Sequence, residues 1–221
     1  SHLNIALGPL VQTWRIGFSD AHIPNNAEVT HALSLTDPQL IELDPLSCTV
    51  FLAKEGMKLD LGCLAKGYIA DKIADYLKSQ HVMSALINLG GNIKTIGANV
   101  LANRPWQIGI QNPRQPRDTN LAVLPICNQS VVTSGTYERK LQVNEHTYHH
   151  ILDRKTGYPV DTQLASITII SDNSLDGEIW TTRLYGEKPN QLLARVEQEK
   201  GIEALIVTTD NRVYYSSGIS P

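Results

Sequence analysis

Apolar residues fall at every fourth position from Leu61 through Ala65, Ile69 and Ile73 to Leu77, and Leu64, Tyr68 and Tyr76 widen the stripe. That spacing is close to the helical repeat and predicts an amphipathic helix over residues 62–80. From 84 to 143 the pattern changes to short β-rich runs, at 85–89, 93–98, 106–111, 121–126 and 130–133, separated by Gly, Pro and Asn turns. A further strand is expected at 165–171, helices at 175–185 and 190–200, and a closing hairpin from 204–208 and 212–216. Upstream, residues 3–11 form an apolar segment containing Gly8-Pro9. A polar, turn-rich stretch at 21–38 holds a short helix at 28–35, and strands at 48–53 and 57–61 flank a turn at Glu55-Gly56. Helices and strands mix without a regular βαβ alternation and without internal repeats, so the class is α+β rather than doubly wound.

Composition narrows the class of protein further. With 221 residues, 42% hydrophobic and 19% charged, the chain can bury a sizeable core. Its net charge of -3 and scattered basic residues give no electrostatic footprint for nucleic acid. No apolar run approaches the roughly 18 residues that a membrane span needs. Cys48, Cys63 and Cys127 have no Cys-x-x-Cys spacing and leave one thiol over in any disulfide scheme, which excludes a cysteine-stapled scaffold or a zinc ribbon. The chain opens on Ser1-His2-Leu3 rather than Met. A leader or lipid-anchored segment is therefore compatible with it, and the compartment stays open between the cytoplasm and an extracytoplasmic, membrane-anchored location.

Five segments carry candidate chemistry. Asp60-Leu61-Gly62-Cys63-Leu64-Ala65-Lys66-Gly67-Tyr68 places a carboxylate before a helix and a Lys in its first turn. Backbone N–H groups there can receive a phosphate, with Lys66 adding charge. An Asp cap and an exposed helix Lys account for the same residues, and the Gly-x-x-x-x-Gly-Lys-Ser/Thr spacing of a Walker loop is absent. Asn88-Leu89-Gly90-Gly91-Asn92 and Thr133-Ser134-Gly135 follow apolar strands, where Gly lets a backbone approach a ligand or simply turn. In Tyr148-His149-His150-Ile151-Leu152-Asp153, followed by Thr156-Gly157-Tyr158-Pro159, strand alternation sends the adjacent His side chains to opposite faces. One His can act as a base while the other packs, and with His146 the set fits zinc poorly. In Ser174–Thr182, Glu178 and Thr182 share one helical face and offer two oxygen ligands to a hard cation such as Mg²⁺, or form an ordinary polar face.

Taken in order along the chain with Gly8-Pro9-Leu10-Val11 and Trp14, these segments resemble the ApbE family, the FAD:protein FMN transferases once described as thiamine-biosynthesis lipoproteins. The resemblance spans essentially the whole chain. It implies one ApbE-like (T-fold-like) domain over 1–221, built on a largely antiparallel sheet with packed helices and lacking the further N-terminal segment usual in the family. It also implies a reaction: Mg²⁺-dependent transfer of FMN from FAD to a Thr or Ser hydroxyl of an acceptor flavoprotein, with release of AMP. An FAD pyrophosphatase and a non-catalytic FAD-binding protein are the competing readings. The oligomeric state is left open.

Carried over by position, the resemblance makes Asp60 and His150 catalytic, with His149 second in line. It makes Asn4, Lys66, Gly90, Gly91, Ser134, Gly135 and Ile151 flavin-nucleotide contacts. Metal ligation would come from Glu178, Thr182 and the backbone carbonyl of Cys63. Two positions depart from the family pattern: Glu178 stands where Asp is usual, one methylene longer, and Asn4 replaces an Asp, removing a charge.

Overall fold

Among the described residues, five α-helices form in chain order: α1 (Gly8–Trp14), α2 (Asn26–Leu33), α3 (Ala65–Ser79), α4 (Ser174–Leu184) and α5 (Pro189–Val196). The strands before α4 are β1 (Ile41–Asp44), β2 (Thr49–Leu52), β3 (Ala85–Leu89), β4 (Asn92–Ile96), β5 (Trp106–Gln111), β6 (Asn120–Ile126), β7 (Ser130–Gly135), β8 (Lys140–Val143), β9 (His146–His149) and β10 (Leu164–Ser171). After α5 come β11 (Ile202–Thr208) and β12 (Val213–Tyr215). This computed structural model describes residues 3–116, 119–144 and 146–219. They fall into two compact units, Ser1–Leu61 with Thr136–Asp161 and Gly62–Gly135 with Thr162–Pro221.

In the first unit, Pro9 occupies the opening turn of α1, where a missing N–H removes no helical hydrogen bond. The following helix starts two residues before the expected 28–35, because Asn25 and Glu28 close a reciprocal capping box over its first turn. The core gathers on Leu10, Trp14, Ile16, Val29, Ala32 and Leu152. Trp14 is fully buried, its ring packs at a tilt against Tyr148 and meets Tyr158 edge-on, and its indole N–H donates to the Gly157 carbonyl at 2.8 Å. The His-His-Ile-Leu-Asp segment is thereby fastened to α1. Gly157 has φ +76°, and a Cβ there would lie 2.6 Å from Val29 Cγ1, so the close approach requires glycine.

Two expectations for this unit are corrected. The strand expected at 48–53 forms as β2, but it pairs antiparallel with β1, which the sequence pattern did not reveal. Residues 57–61 form no strand: Asp60 N–H donates to the Ile5 carbonyl at 2.8 Å, without a continuing ladder. The hairpin of β8 and β9 was likewise legible only in its second half.

The second unit is built on a six-stranded sheet in the order β12-β11-β10-β7-β4-β3, with every pairing antiparallel. The α+β class and the antiparallel sheet are as expected. One face packs Val131, Ile170, Leu205 and Val207 against Ile108, Ile110, Leu124 and Ile126 of the β5–β6 hairpin. Helix α4 packs on the opposite face, where a Cβ on Gly177 would come within 2.6 Å of Val132 Cγ2. The strand expected to stop at Thr133 continues through Ser134 and Gly135, which pair with Ile167 and Ser166 of β10. Helix α5 ends at Val196 rather than 200.

Helix α3 departs most from its pattern. It begins at Ala65 rather than 62, so Asp60 is not its cap. Its buried residues are Gly67, Ala70 and Ala74, with Ile73 and Leu77 partly covered, whereas Leu61, Tyr68, Ile69 and Tyr76 are exposed. Small side chains let the helix lie close on Ile87 and Ile96 of the sheet. A Cβ on Gly67 would sit 2.6 Å from the Ser174 carbonyl oxygen, which sets the approach of α3 to α4.

Candidate functional site

That close approach brings Lys66, the second residue of α3, to Glu178 in the middle of α4. Glu178 is only 3% exposed, and its Oε1 accepts from Lys66 Nζ at 2.8 Å and from Asn92 Nδ2 at 2.9 Å. Lys66 keeps 44% of its side chain in solvent, so the pair is buried at the carboxylate and open at the ammonium. Asn92 is 2% exposed, and its Oδ1 accepts from the Ser174 hydroxyl at 2.6 Å. Every polar atom of the Asn92 amide is thus engaged with α4.

Behind this cluster lies a second one. The Asp71 carboxylate accepts from the backbone N–H of Ser174 at 2.8 Å and of Leu175 at 2.9 Å. Lys94, 4% exposed, has Nζ 3.7 Å from Asp71 Oδ1 and donates to the Asp172 carbonyl. Burial pushes the Lys94 ammonium below its ordinary value, and the Asp71 charge offsets part of that displacement. Sequence reasoning did not single out Asn92, Asp71, Ser174 or Lys94 as site residues. One signal was present: Gly67 and Asp71 are four apart and share the helical face that meets α4.

The residues fit a small hard cation. Glu178 Oε2 and the half-buried Thr182 hydroxyl, one turn further along, accept no hydrogen bond among the described residues. No group of three or more His, Cys, Asp and Glu side chains suited to a metal occurs among those residues. An ion here would rely on one carboxylate, a hydroxyl, backbone oxygens and water, a donor set that suits Mg²⁺ and not zinc.

The other expected residues are distributed as follows. Cys63 is half-buried and forms no disulfide among the described residues, in the turn before α3. Gly90 and Gly91, at φ +60° and +93°, make the two-residue turn between β3 and β4, and a Cβ on either would meet open space. Ser134 and Gly135 lie within β7. Asp60, Asn4, His149, His150 and Ile151 belong to the first unit. Asn4 is committed to the fold, its Oδ1 accepting from Ala6 N–H and its Nδ2 donating to the Thr36 carbonyl.

The adjacent His side chains differ in surroundings. His149 ends β9 in a buried position, with Nε2 donating to the Val160 carbonyl at 2.9 Å and Nδ1 accepting from Ile151 N–H at 3.2 Å. Burial holds its pKa below the ordinary imidazole range. His150 follows the strand, half-buried, with Nδ1 3.3 Å from the Arg139 carbonyl. Donation from Nδ1 to that carbonyl puts the basic lone pair of the neutral ring on Nε2.

Known proteins resemble this chain in sequence and fold. The profile of the ApbE family matches residues 1–206, and the chain belongs to that family. It is 47% identical to an FAD:protein FMN transferase of Klebsiella pneumoniae, over 98% of this chain and 66% of that protein. It is 36% identical to an FAD:protein FMN transferase of Treponema pallidum, over 98% of this chain and 63% of that one. The chain therefore spans slightly less than two thirds of the length of these curated relatives. Among solved structures it is similar to the ApbE protein of Thermotoga maritima, with a TM-score of 0.88 at 28% identity, covering 98% of this chain and 70% of that one. The flavin transferase ApbE of Vibrio cholerae gives a TM-score of 0.81 at 26% identity, with 98% and 69% covered.

Proposed function

We propose that this chain carries the activity named for its relatives, transfer of FMN from FAD to a Thr or Ser hydroxyl of an acceptor flavoprotein with release of AMP. The observation that supports it best is the Lys66–Glu178–Asn92 cluster, in a chain 47% identical to an FAD:protein FMN transferase. In the reaction the acceptor oxygen bonds to the FMN phosphorus, the bond from that phosphorus to the bridging oxygen breaks, and AMP leaves with the bridging oxygen. The hydroxyl proton passes to a base.

Each step has a candidate residue. Glu178 and Thr182, with the Cys63 carbonyl, would hold Mg²⁺. When bound there, the ion would neutralise charge on the diphosphate, as phosphoryl transfer requires. Lys66 presents its half-exposed ammonium to the same phosphates. His150 takes the proton of the acceptor hydroxyl, a poor nucleophile until a base of suitable pKa assists it. Asp60 orients that hydroxyl. The candidate flavin-nucleotide contacts are Gly90, Gly91, Ser134 and Gly135 in the second unit, and Asn4 and Ile151 in the first.

The test is incubation with FAD, Mg²⁺ and a purified flavoprotein offering a Thr in its flavin-attachment segment, read by intact-mass spectrometry and by AMP release. The expected result is an acceptor heavier by one FMN and an equal amount of AMP. FMN and AMP formed with the acceptor unchanged would make the protein a pyrophosphatase. FAD bound without turnover would make it a flavin-binding protein.

A further inference from the structure

We propose that Asp71, locked by the buried Lys94, is a positioning residue that sets where α4 presents Glu178; the inference rests on the metal-binding role proposed above for that carboxylate. The first N–H groups of any helix lack intrahelical partners. In α4 the residue at the cap, Asn173, makes no side-chain capping bond. The partner comes instead from α3, 103 positions away in sequence, where each oxygen of Asp71 accepts one N–H, from Ser174 at 2.8 Å and from Leu175 at 2.9 Å. Two bonds to two oxygens of one planar group fix both the position of the helix end and its rotation about its own axis.

Lys94 completes the clamp. Its ammonium lies 3.7 Å from Asp71 Oδ1 and donates to the carbonyl of Asp172, just before the helix, so the chain entering α4 is held to the same point. The Ser174 hydroxyl then bonds Asn92, and the Asn92 amide bonds Glu178. Ser174 and Glu178 are one turn apart on the same face. Neither Asp71 nor Lys94 has a hydrogen bond or ion pair with Glu178 among the described residues; both act on it through the first turn of α4. Groups hydrogen-bonded directly to a ligand, as Asn92 is to Glu178, typically change metal affinity by about 10- to 100-fold when lost, and Asp71 acts one step beyond them.

The experiment compares wild type, Asp71→Asn, Ser174→Ala and Leu192→Ala in the intact chain. Leu192 is fully buried on α5, which packs on β11 and β12, so its truncation destabilises the unit away from the clamp. Mg²⁺ affinity is measured by calorimetry without FAD, and hydrogen exchange is followed at the Ser174 and Leu175 amides. Asp71→Asn should weaken Mg²⁺ binding about 10-fold, the lower end of that range, and speed exchange at both amides. Ser174→Ala, which loses one hydroxyl, should weaken it about two- to fivefold, and it carries the comparison if Asp71→Asn does not fold. Leu192→Ala should leave affinity unchanged despite a lower Tm. Variants that bind Mg²⁺ like wild type, or lose no more than Leu192→Ala, overturn the positioning role alone. A wild type that binds no Mg²⁺ removes the metal role of Glu178 and this inference with it.

Discussion

The Lys66 ammonium lies 2.8 Å from Glu178 Oε1 across 112 positions of sequence. An almost fully buried carboxylate is tolerable because this cation and the Asn92 amide both serve the same oxygen. The other oxygen accepts no hydrogen bond among the described residues, so the pair is stable in the free protein and still leaves an acceptor for a ligand.

Removing that carboxylate should have two separable effects. Glu178→Ala leaves the Asn92 amide and the Lys66 ammonium without their acceptor, at a cost of roughly 1–3 kcal/mol in stability. It should also abolish Mg²⁺-dependent turnover. Urea unfolding reads the first effect, and FMN attachment across a Mg²⁺ titration reads the second. Full Mg²⁺-dependent activity in the variant would remove Glu178 from the site.

The two His side chains should separate cleanly. His150→Ala is expected to slow FMN transfer about 100-fold or more, the usual range for a lost general base. His149→Ala should instead lower stability by roughly 1–3 kcal/mol, since it deletes a buried ring bonded to two backbone groups. Transfer assays and thermal melts on the two single variants decide the matter. A dead His149→Ala beside an active His150→Ala would reverse the assignment.

His149 also predicts a pH dependence. Burial lowers its folded-state pKa from the ordinary 6.5, so below that value the unfolded chain binds the proton more readily than the folded one. Its contribution to stability is full above about pH 6.5 and is lost as pH falls toward the folded pKa. Melting temperature measured from pH 8 to pH 5 should therefore fall more steeply in wild type than in His149→Gln. Parallel curves would show that His149 does not titrate in this way.

Gly67→Ala tests the helix contact itself. The added methyl would lie 2.6 Å from a backbone oxygen of α4, so the helices must separate. Overpacking of this kind costs roughly 1–3 kcal/mol, and the same shift lengthens the Lys66–Glu178 contact. Urea unfolding should show the loss, together with weaker Mg²⁺ binding. A variant as stable as wild type would mean that α3 and α4 can move apart freely.

Local pattern determined much of this protein. Hydrophobic spacing and turn residues placed most strands of the main sheet and the helices around it, because adjacent side chains report directly on backbone period. The order of the Asp-Leu-Gly, Gly-Gly-Asn and His-His-Ile-Leu-Asp segments pointed to the family. Spacing also nominated Lys66 and Glu178, but for separate tasks, nucleotide and metal. Only tertiary structure made them partners, since a contact between two helices leaves no periodic trace in either. The apolar stripe on α3 misled for a related reason: the face that meets α4 and the sheet is made of Gly67, Ala70 and Ala74, whose value is closeness rather than hydrophobic area. Lys94 is polar and unremarkable in its own segment, Asn92 entered only as part of a turn motif, and Asp71 carried no more than its spacing from Gly67. Their burial, and the helix end that they hold, exist only once β4, α3 and α4 have packed together.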